Sequence, residues 1–131
     1  MGVALLDTSI VIGALNRDDA LYEIAGQAIR TERDRHALAI SALTYAEILV
    51  GPLRVGGRAV EVVERFAAQV RIVDLSPAIA RLAAELRATR GLKLPDAVIV
   101  ATGLRLEADV IVTADTRWKG IPQVVVVDGH R

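Results

Sequence analysis

Short aliphatic runs alternate along the chain with longer stretches in which apolar residues recur at helical spacing. The aliphatic runs occupy residues 3–6, 37–40, 70–73, 110–112 and 124–127, and polar residues or glycine bound each of them. The first run is typical of a strand that is buried on both faces, as in a parallel sheet, and the other four are further strand candidates. We therefore predict a strand at each of these positions.

The stretches between these runs predict helices. Periodic apolar positions cover residues 10–15, 19–33, 41–50, 57–69, 77–91 and 94–107. Residues of the type that caps helix starts precede or open three of them: Thr8 or Ser9, Asp19 and Ser41. Gly51-Pro52 predicts the end of the third helix, because glycine and proline commonly follow the last helical turn.

The alternation of strands and helices predicts an α/β fold. Successive parallel strands need a crossover connection, and the helices that supply it cover both faces of the sheet. The expected architecture is a three-layer α/β/α arrangement around a short parallel sheet. We expect one domain over residues 1–131, since this length suits one core and the sequence contains no repeat or linker-like segment.

The amino-acid composition excludes several classes of protein and several kinds of functional site. Aromatic residues make up 3% of the chain, so the core must be aliphatic. The 16 basic and 16 acidic side chains cancel, which excludes a polybasic protein that coats nucleic acid but not an enzyme that engages it locally. The sequence has no cysteine, which excludes disulfides, thiolate zinc sites and a cysteine nucleophile. His36 and His130 lack metal-ligand spacing, so a histidine-based metal site is not expected.

The sequence also lacks signals for membrane insertion or export. No apolar run approaches the ~18 residues needed to span a bilayer. The N-terminal segment has no basic start, and Asp7 interrupts it, so we do not expect a signal peptide. The expected location is the cytoplasm.

Four carboxylates are predicted to meet at one edge of the sheet. Asp7 closes the first strand, and Asp115 follows the fourth strand closely. Glu47 lies on the helix after the second strand, and Asp96 lies in the first turn of the last helix. Because the ligand crevice of an open α/β sheet lies at the carboxyl ends of its strands, these side chains can converge there.

Taken singly, Asp7, Asp96 and Asp115 could each serve as a turn or capping residue. Glu47 instead interrupts an apolar helix, where a partly buried carboxylate needs a cation or partner. Like charges within ~4–6 Å of one another repel unless a cation holds them. An oxygen-only site suits Mg²⁺ or Mn²⁺ and therefore phosphodiester hydrolysis. Supporting hydroxyls would come from Thr8, Ser9 and Thr113.

Four segments in order carry a resemblance to a known family: LLDTSIVI, ISALTYAEILVG, LKLPDAVIVATG and DVIVTADTRW. On these segments the chain resembles, over essentially its whole length, the PIN-domain ribonucleases and in particular the small VapC-type toxins of bacterial toxin–antitoxin pairs. The resemblance implies four metal-binding acids: Asp7, Glu47, Asp96 and Asp115. It places Thr8 or Ser9 and Thr113 at supporting hydroxyl positions, and Trp118 where the family often has Phe.

The resemblance also implies an activity and partners. The activity is a Mg²⁺- or Mn²⁺-dependent endoribonuclease in which activated water attacks an RNA phosphodiester. The partners are a second copy of the chain and a cognate antitoxin that covers the site. Residues 41–69 are more apolar than one buried face of a small domain requires, so we expect part of this surface, with the helix over residues 77–90, to form a two-fold dimer interface. We expect the antitoxin to lay an apolar helix along exposed helices and to place an arginine in the acid cluster.

The sequence departs from the family pattern in two respects. Some members carry a further acid after the last one, where this chain reads Thr116-Arg117-Trp118. Basic residues are also not clustered, and the candidate phosphate contacts flank the two C-terminal acids: Arg90, Lys93, Arg117 and Lys119. Each of these could equally be a solvated loop charge. The shortage of aromatics favours shape and backbone contacts over base stacking.

Three alternative functions remain open. An aspartate-dependent phosphohydrolase would need a second Asp two residues after Asp7, where the chain has Ser9. A phospho-receiver domain would need paired acids after the first strand, which Asp7 lacks, and a late lysine, for which Lys119 is suitably placed. The third alternative is a PIN fold without activity that acts as a binding or scaffold module.

Overall fold

The computed structural model describes residues 2–127. This part of the chain contains a five-stranded parallel sheet. The strands are β1 (Gly2–Leu6), β2 (His36–Ser41), β3 (Arg71–Val73), β4 (Val110–Thr113) and β5 (Val124–Val126). Their order across the sheet is β3-β2-β1-β4-β5, and all neighbouring strands run parallel. The predicted strands are confirmed, and every end lies within one residue of its predicted position.

Pairs of helices connect the first four strands. They are α1 (Thr8–Leu15), α2 (Tyr22–Arg33), α3 (Ala42–Val55), α4 (Arg58–Ala67), α5 (Pro77–Arg90) and α6 (Leu94–Arg105). A 3₁₀ turn, Thr116–Trp118, lies between β4 and β5. Within residues 2–127, no helix has both the length and the apolar character needed to cross a bilayer.

The two faces of the sheet carry separate halves of the aliphatic core. Leu5 of β1 packs with the buried residues of α5 and α6. Its neighbours Ala4 and Leu6 point to the opposite face and pack with residues of α1, α2, α3 and α4. Helices therefore cover both faces, and the predicted three-layer α/β/α architecture is confirmed.

Strand β1 lies at the centre of the sheet, where the strand order reverses. The chain passes from β1 to β2 and β3 on one side, and later crosses to β4 and β5 on the other. The backbone N–H of Asp7, just after β1, donates to the carbonyl of Val112 in β4 at 2.9 Å. The carboxyl ends of β1 and β4 are thereby held together at the position where open α/β sheets bind ligands.

Helix α3 is longer than the sequence predicts. It passes through Gly51 and Pro52 and ends only at Gly56, whose φ is +84°. Pro52 lacks a backbone N–H, but its carbonyl accepts the N–H of Gly56 at 2.7 Å, so the helix regains a closed turn after the proline. The predicted end at Gly51-Pro52 was wrong because the stop is set by Gly56, which can adopt a positive φ.

Three other local predictions need correction. Helix α1 is capped by Asp7, whose Oδ1 accepts the Thr8 N–H at 2.8 Å, and not by Thr8 or Ser9. Helix α2 begins at Tyr22, because the Asp19 carboxylate accepts a backbone N–H within the turn that precedes it. Helices α4 and α6 each end two residues before the predicted end.

Helix α6 packs unusually close to the sheet at Gly103. A Cβ added there would lie 2.7 Å from Ile111 Cγ1 and 3.3 Å from Leu5 Cδ2. A glycine is therefore required where the helix crosses β1 and β4. This contact fixes the height of α6 above the two strands that end at the acidic residues.

Candidate active site

Asp7 is the buried acid of the site, and its hydrogen-bond donors come from both the N-terminal and the C-terminal parts of the chain. Its side chain is 5% exposed. Oδ1 accepts the backbone N–H of Thr8, and Oδ2 accepts the hydroxyls of Ser9 at 2.8 Å and Thr113 at 2.7 Å. The carboxylate is thus fixed in one orientation by donors from α1 and from the end of β4.

The surroundings of Asp7 favour its neutral form. Burial raises the pKa of the Asp7 carboxyl, and the charge of Glu47 adds to the rise, whereas hydrogen bonds from Thr113, Ser9 and Thr8 oppose it. An ionised carboxylate at this buried position lowers the free energy of unfolding unless a cation compensates its charge.

A threonine pair positions Glu47. The hydroxyl of Thr8 donates to Glu47 Oε1 at 2.7 Å, and its oxygen lies 3.0 Å from Thr44 Oγ1. Because the Thr8 proton is used on Glu47, Thr44 acts as the donor in the second bond. Thr44 and Glu47 lie three residues apart on α3 and share one face of the helix. The start of α1 thereby fixes the acid on α3.

Asp115 caps the 3₁₀ turn and pairs with Arg117. Its Oδ1 accepts the backbone N–H of Arg117 at 2.9 Å, and its Oδ2 lies 2.5 Å from Arg117 Nη2. The hydrogen bond from Arg117 lowers the pKa of the Asp115 carboxyl, and the charges of Arg117 and Lys93 add to this effect. The backbone N–H of Asp115 donates to Thr113 Oγ1 at 3.0 Å, so Thr113 links Asp115 to Asp7.

Asp96 lies in the first turn of α6 and faces the other acids. Its side chain is 25% exposed, and its Oδ2 lies 3.8 Å from Arg117 Nη2. Burial raises the pKa of the Asp96 carboxyl, the charges of Asp7 and Asp115 raise it further, and Arg117 and Lys93 oppose the rise.

The fold therefore brings acids from four separate segments within electrostatic range: Glu47 acts on Asp7, and Asp7 and Asp115 act on Asp96. Within residues 2–127 no three acidic or histidine side chains are close enough to form a ready-made cation site. The donor set nevertheless suits Mg²⁺ or Mn²⁺, because it consists of carboxylate and hydroxyl oxygens whose negative charges repel one another. A guanidinium already bridges two of these acids, which shows that the cluster accepts a cation.

The model of the PIN-domain family matches residues 4–124, nearly the whole chain. The chain belongs to the PIN-domain family. No individual curated protein matches it. The resemblance inferred from the four sequence segments is confirmed, and the segments that carry the four acids all lie within the matched range.

Solved structures similar to this PIN domain include chains from toxin–antitoxin complexes. A toxin–antitoxin complex from Klebsiella pneumoniae contains a chain that is 30% identical, with a TM-score of 0.81, covering 94% of this chain and 96% of that one. The VapBC2 complex of Rickettsia felis, bound to a promoter DNA fragment, is 21% identical with a TM-score of 0.77, covering 96% and 99%.

A third similar structure is VapC20 of Mycobacterium tuberculosis, described as a toxin that cleaves the sarcin–ricin loop. It is 18% identical with a TM-score of 0.68, covering 82% of this chain and 86% of that one. At this identity the comparison shows a shared fold. The family match therefore sets the fold, and the site residues must be judged from their own geometry.

The candidate phosphate contacts of the PIN domain differ in their distance from the acids. Arg117 contacts two of them directly. Lys93 caps α6 and acts electrostatically on Asp96 and Asp115. Arg90 and Lys119 are exposed and form no ion pair within the part of the chain that the structure describes.

Two residues of the site were not foreseen in these roles. Thr44 was not singled out, although its spacing of three residues from Glu47 on an apolar helix was a usable signal. Arg117 was predicted as a phosphate contact, and its pairing with Asp115 was not foreseen. Trp118 is 1% exposed and packs in the core, so it anchors the 3₁₀ turn that carries Arg117.

An apolar groove opens beside the acidic residues. It has a volume of about 490 Å³ and lies between α1, α3 and α4. Its lining includes Ile12, Val55 and Val62, which are 40%, 81% and 42% exposed, together with Glu47. Because Glu47 belongs to both, the groove and the acid cluster are continuous.

Proposed function

We propose that this PIN domain is a metal-dependent endoribonuclease and the toxin component of a toxin–antitoxin pair, acting in the cytoplasm. The observation that carries the proposal is the convergence of four acids at the point where the strand order reverses, with Asp7 fixed by three hydrogen bonds. Two similar structures support it: one is a toxin–antitoxin complex, and the other is described as a toxin that cleaves the sarcin–ricin loop.

Asp7, Glu47, Asp96 and Asp115 would hold the divalent cation. When bound, Mg²⁺ or Mn²⁺ lowers the pKa of water and stabilises the charge that develops on the leaving oxygen. The acids themselves are ligands and not nucleophiles. In the hydrolysis, a water oxygen bonds to phosphorus while the bond from phosphorus to the leaving oxygen breaks.

The remaining residues orient the acids and receive the substrate. Ser9 and Thr113 hold Asp7, and Thr8 holds Glu47, so these hydroxyls keep the ligands from turning apart. Lys93 and Arg117 carry the positive charge nearest the acids and would offset the charge of the RNA phosphate. Arg90 and Lys119 would contact phosphates further along the RNA.

Cleavage of RNA by the purified protein tests the proposal. The protein should cut RNA in the presence of Mg²⁺ or Mn²⁺ and stop when EDTA is added. Sequencing of RNA 5′ ends after induced expression would then identify the cut position. RNA that stays intact across a range of cation concentrations, with a folded protein in the assay, would contradict the proposal.

The groove suits the expected antitoxin. Its apolar lining fits one face of an amphipathic helix, and its end at Glu47 allows a basic side chain of the same partner to reach the acids. An arginine placed there would pair with carboxylates and compete with the cation. Replacing that arginine by alanine should restore cleavage while the complex persists.

We also propose that the protein is a homodimer. Val50 and Leu53 of α3 lie outside the groove and remain 48% and 63% exposed, more apolar surface than this helix needs for its own packing. The expected interface combines the surface of α3 and α4 with α5. Sedimentation at micromolar concentration should give twice the chain mass of 14.0 kDa, and a monomer alone would contradict the dimer.

An inactive PIN module remains the second candidate. The observation that favours it is the Arg117–Asp115 pair, since the chain can neutralise part of its acid cluster without a cation. Membership of the PIN family argues against the phosphohydrolase and phospho-receiver alternatives. RNA binding without cleavage, at a cation concentration that saturates the site, would select the inactive module.

A further inference from the structure

The guanidinium of Arg117 uses the oxygens of Asp115 that a cation would need. Oδ1 accepts the backbone N–H of Arg117 at 2.9 Å and its Nε at 3.0 Å. Oδ2 accepts Nε at 3.1 Å and Nη2 at 2.5 Å. An ionised carboxylate offers about four lone-pair positions, and three N–H groups of one residue occupy most of them here, with the Nε–H shared between the two oxygens.

The same guanidinium also reaches the second acid of this side of the cluster. Nη2 lies 3.8 Å from Asp96 Oδ2, so a single group neutralises Asp115 and screens Asp96. A divalent cation that bound Asp115 and Asp96 would occupy this same space and meet the positive charge of Arg117. A divalent cation at this position would therefore compete with the guanidinium for Asp115.

The pair is built so that it can open. The Arg117 side chain is 64% exposed, whereas those of Asp115 and Asp96 are 20% and 25% exposed. The guanidinium can therefore withdraw into solvent while the carboxylates stay in place. Because the backbone N–H of Arg117 also holds Asp115 Oδ1, the acid keeps its orientation when the side chain leaves.

We propose that Arg117 is a built-in counter-ion of the acid cluster that competes with the divalent cation for Asp115. In this role it sets the cation concentration at which the site loads. The inference rests on the proposed function, because it assumes that the four acids bind a divalent cation.

Titration calorimetry with Mn²⁺ in the absence of RNA tests this competition. Arg117→Ala should bind Mn²⁺ about three- to tenfold more tightly than the unchanged protein, the range expected for loss of a two-point charge pair at a partly exposed site. Arg117→Gln should bind more tightly as well, and it keeps most of the side chain. Arg117→Lys should fall between, because lysine keeps the charge but cannot pair in the same planar geometry.

Lys119→Ala is the matched control. It removes one positive charge two residues further along, from an exposed side chain that makes no ion pair within residues 2–127. Its Mn²⁺ affinity should stay within about twofold of the unchanged protein, since an exposed charge without direct contact is largely screened. A similar gain in Lys119→Ala and Arg117→Ala would mean that net charge alone is responsible, and the inference would be wrong.

A second readout follows the turn itself. Trp118 is the single tryptophan, is 1% exposed, and follows Arg117 in the same turn. Its fluorescence should change on Mn²⁺ addition in the unchanged protein and less in Arg117→Ala, where no guanidinium has to leave. Thermal melts of each variant would show that the turn remains folded.

The outcomes separate this inference from the proposed function. Equal or weaker Mn²⁺ binding by folded Arg117→Ala and Arg117→Gln overturns the counter-ion role alone and leaves a metal-dependent nuclease intact. If neither the unchanged protein nor any variant binds Mn²⁺, both the inference and the proposed metal dependence are wrong.

Discussion

Thr8 donates its hydroxyl proton to Glu47 Oε1 at 2.7 Å, so the first residue of α1 orients an acid on α3. The same hydroxyl accepts the proton of the buried Thr44. Without Thr8, Glu47 would lose this donor and Thr44 would lose its acceptor. The bond therefore joins two helices and orients a proposed cation ligand at the same time.

We expect Thr8→Val to slow RNA cleavage by about tenfold or more, the usual effect of removing a partner that orients a metal ligand. Valine keeps the shape and removes the hydroxyl, so the melting temperature should fall by only a few degrees, as about 1 kcal/mol is at stake. Initial rates at saturating Mg²⁺ measure the effect. Thr8→Ser should keep the rate near that of the unchanged protein, and Thr89→Val, at an exposed position of α5, should leave it unchanged. Full activity in Thr8→Val would show that Glu47 needs no such support.

Asp7→Asn and Asp96→Asn should each remove most RNA cleavage while the protein stays folded, because both keep the size of the side chain and remove its charge. Rates should fall by about 100-fold or more, since a cation ligand is lost directly. Cleavage assays with Mg²⁺ measure the loss of activity, and circular dichroism shows whether each variant stays folded. Asp18→Asn changes an exposed acid outside the cluster and serves as the control. Unchanged cleavage in either site variant would contradict the proposed ligand set.

The raised pKa of Asp7 predicts that this residue lowers the stability of the fold, although the proposed cation site needs its charge. An acid whose pKa is higher in the folded than in the unfolded chain destabilises the fold at neutral pH, and this penalty disappears as the pH falls below the unfolded value of 3.8. Asp7→Asn should therefore melt a few degrees above the unchanged protein at pH 7, within the about 0.5–2 kcal/mol that such substitutions give. The difference should shrink steadily as the pH is lowered towards 4. Melting curves across this range measure it, and a difference that grew on acidification would show that the sign is wrong.

Gly103→Ala should destabilise the fold, because its Cβ would press against Ile111 and Leu5. We expect a loss of about 1–3 kcal/mol, the usual cost of overpacking a core. Gly51→Ala is the matched control: it lies in a helix with nothing near its Cβ, so it should raise stability by about 0.5–1 kcal/mol. Urea denaturation compares the two. Adding Ile111→Val to Gly103→Ala should recover part of the loss, and if it did not, crowding against Ile111 would not be the cause.

Val55→Glu should weaken the complex with the antitoxin without affecting RNA cleavage by the free protein. Val55 is 81% exposed at the edge of the groove and contacts none of the acids. A charge there would face an apolar partner helix, and we expect about tenfold weaker binding. Leu75→Glu places the same charge on an exposed apolar residue away from the groove and should leave binding unchanged. Equal binding by both variants would place the antitoxin elsewhere.

The sheet and the convergence of the acids were accessible from sequence because both depend on local pattern. Each strand is a short aliphatic run, and parallel strands bring their carboxyl ends to one edge. Asp7 and Asp115 follow neighbouring strands, so their proximity needs no knowledge of side-chain packing. Glu47 and Asp96 were predicted from their places on the helix after β2 and in the first turn of the last helix, and the family resemblance implied the same four acids.

The features that the sequence could not reveal depend on how elements pack. Thr44 looks like an ordinary helix residue, and only the approach of α1 to α3 gives it a partner in Thr8. Arg117 reaches Asp115 because a 3₁₀ turn folds the chain back over two residues. Helix α3 continues beyond Pro52 because the next turn closes on Gly56.

The hydrogen bond from Thr113 to Asp7 joins residues that lie 106 positions apart. During synthesis on the ribosome, Asp7 emerges early and must wait for Thr113 and Asp115 before its carboxylate is held in place. A nascent chain with every helix up to α5 therefore still has an incomplete site. The order of the segments therefore delays completion of the site until nearly the whole chain has been translated.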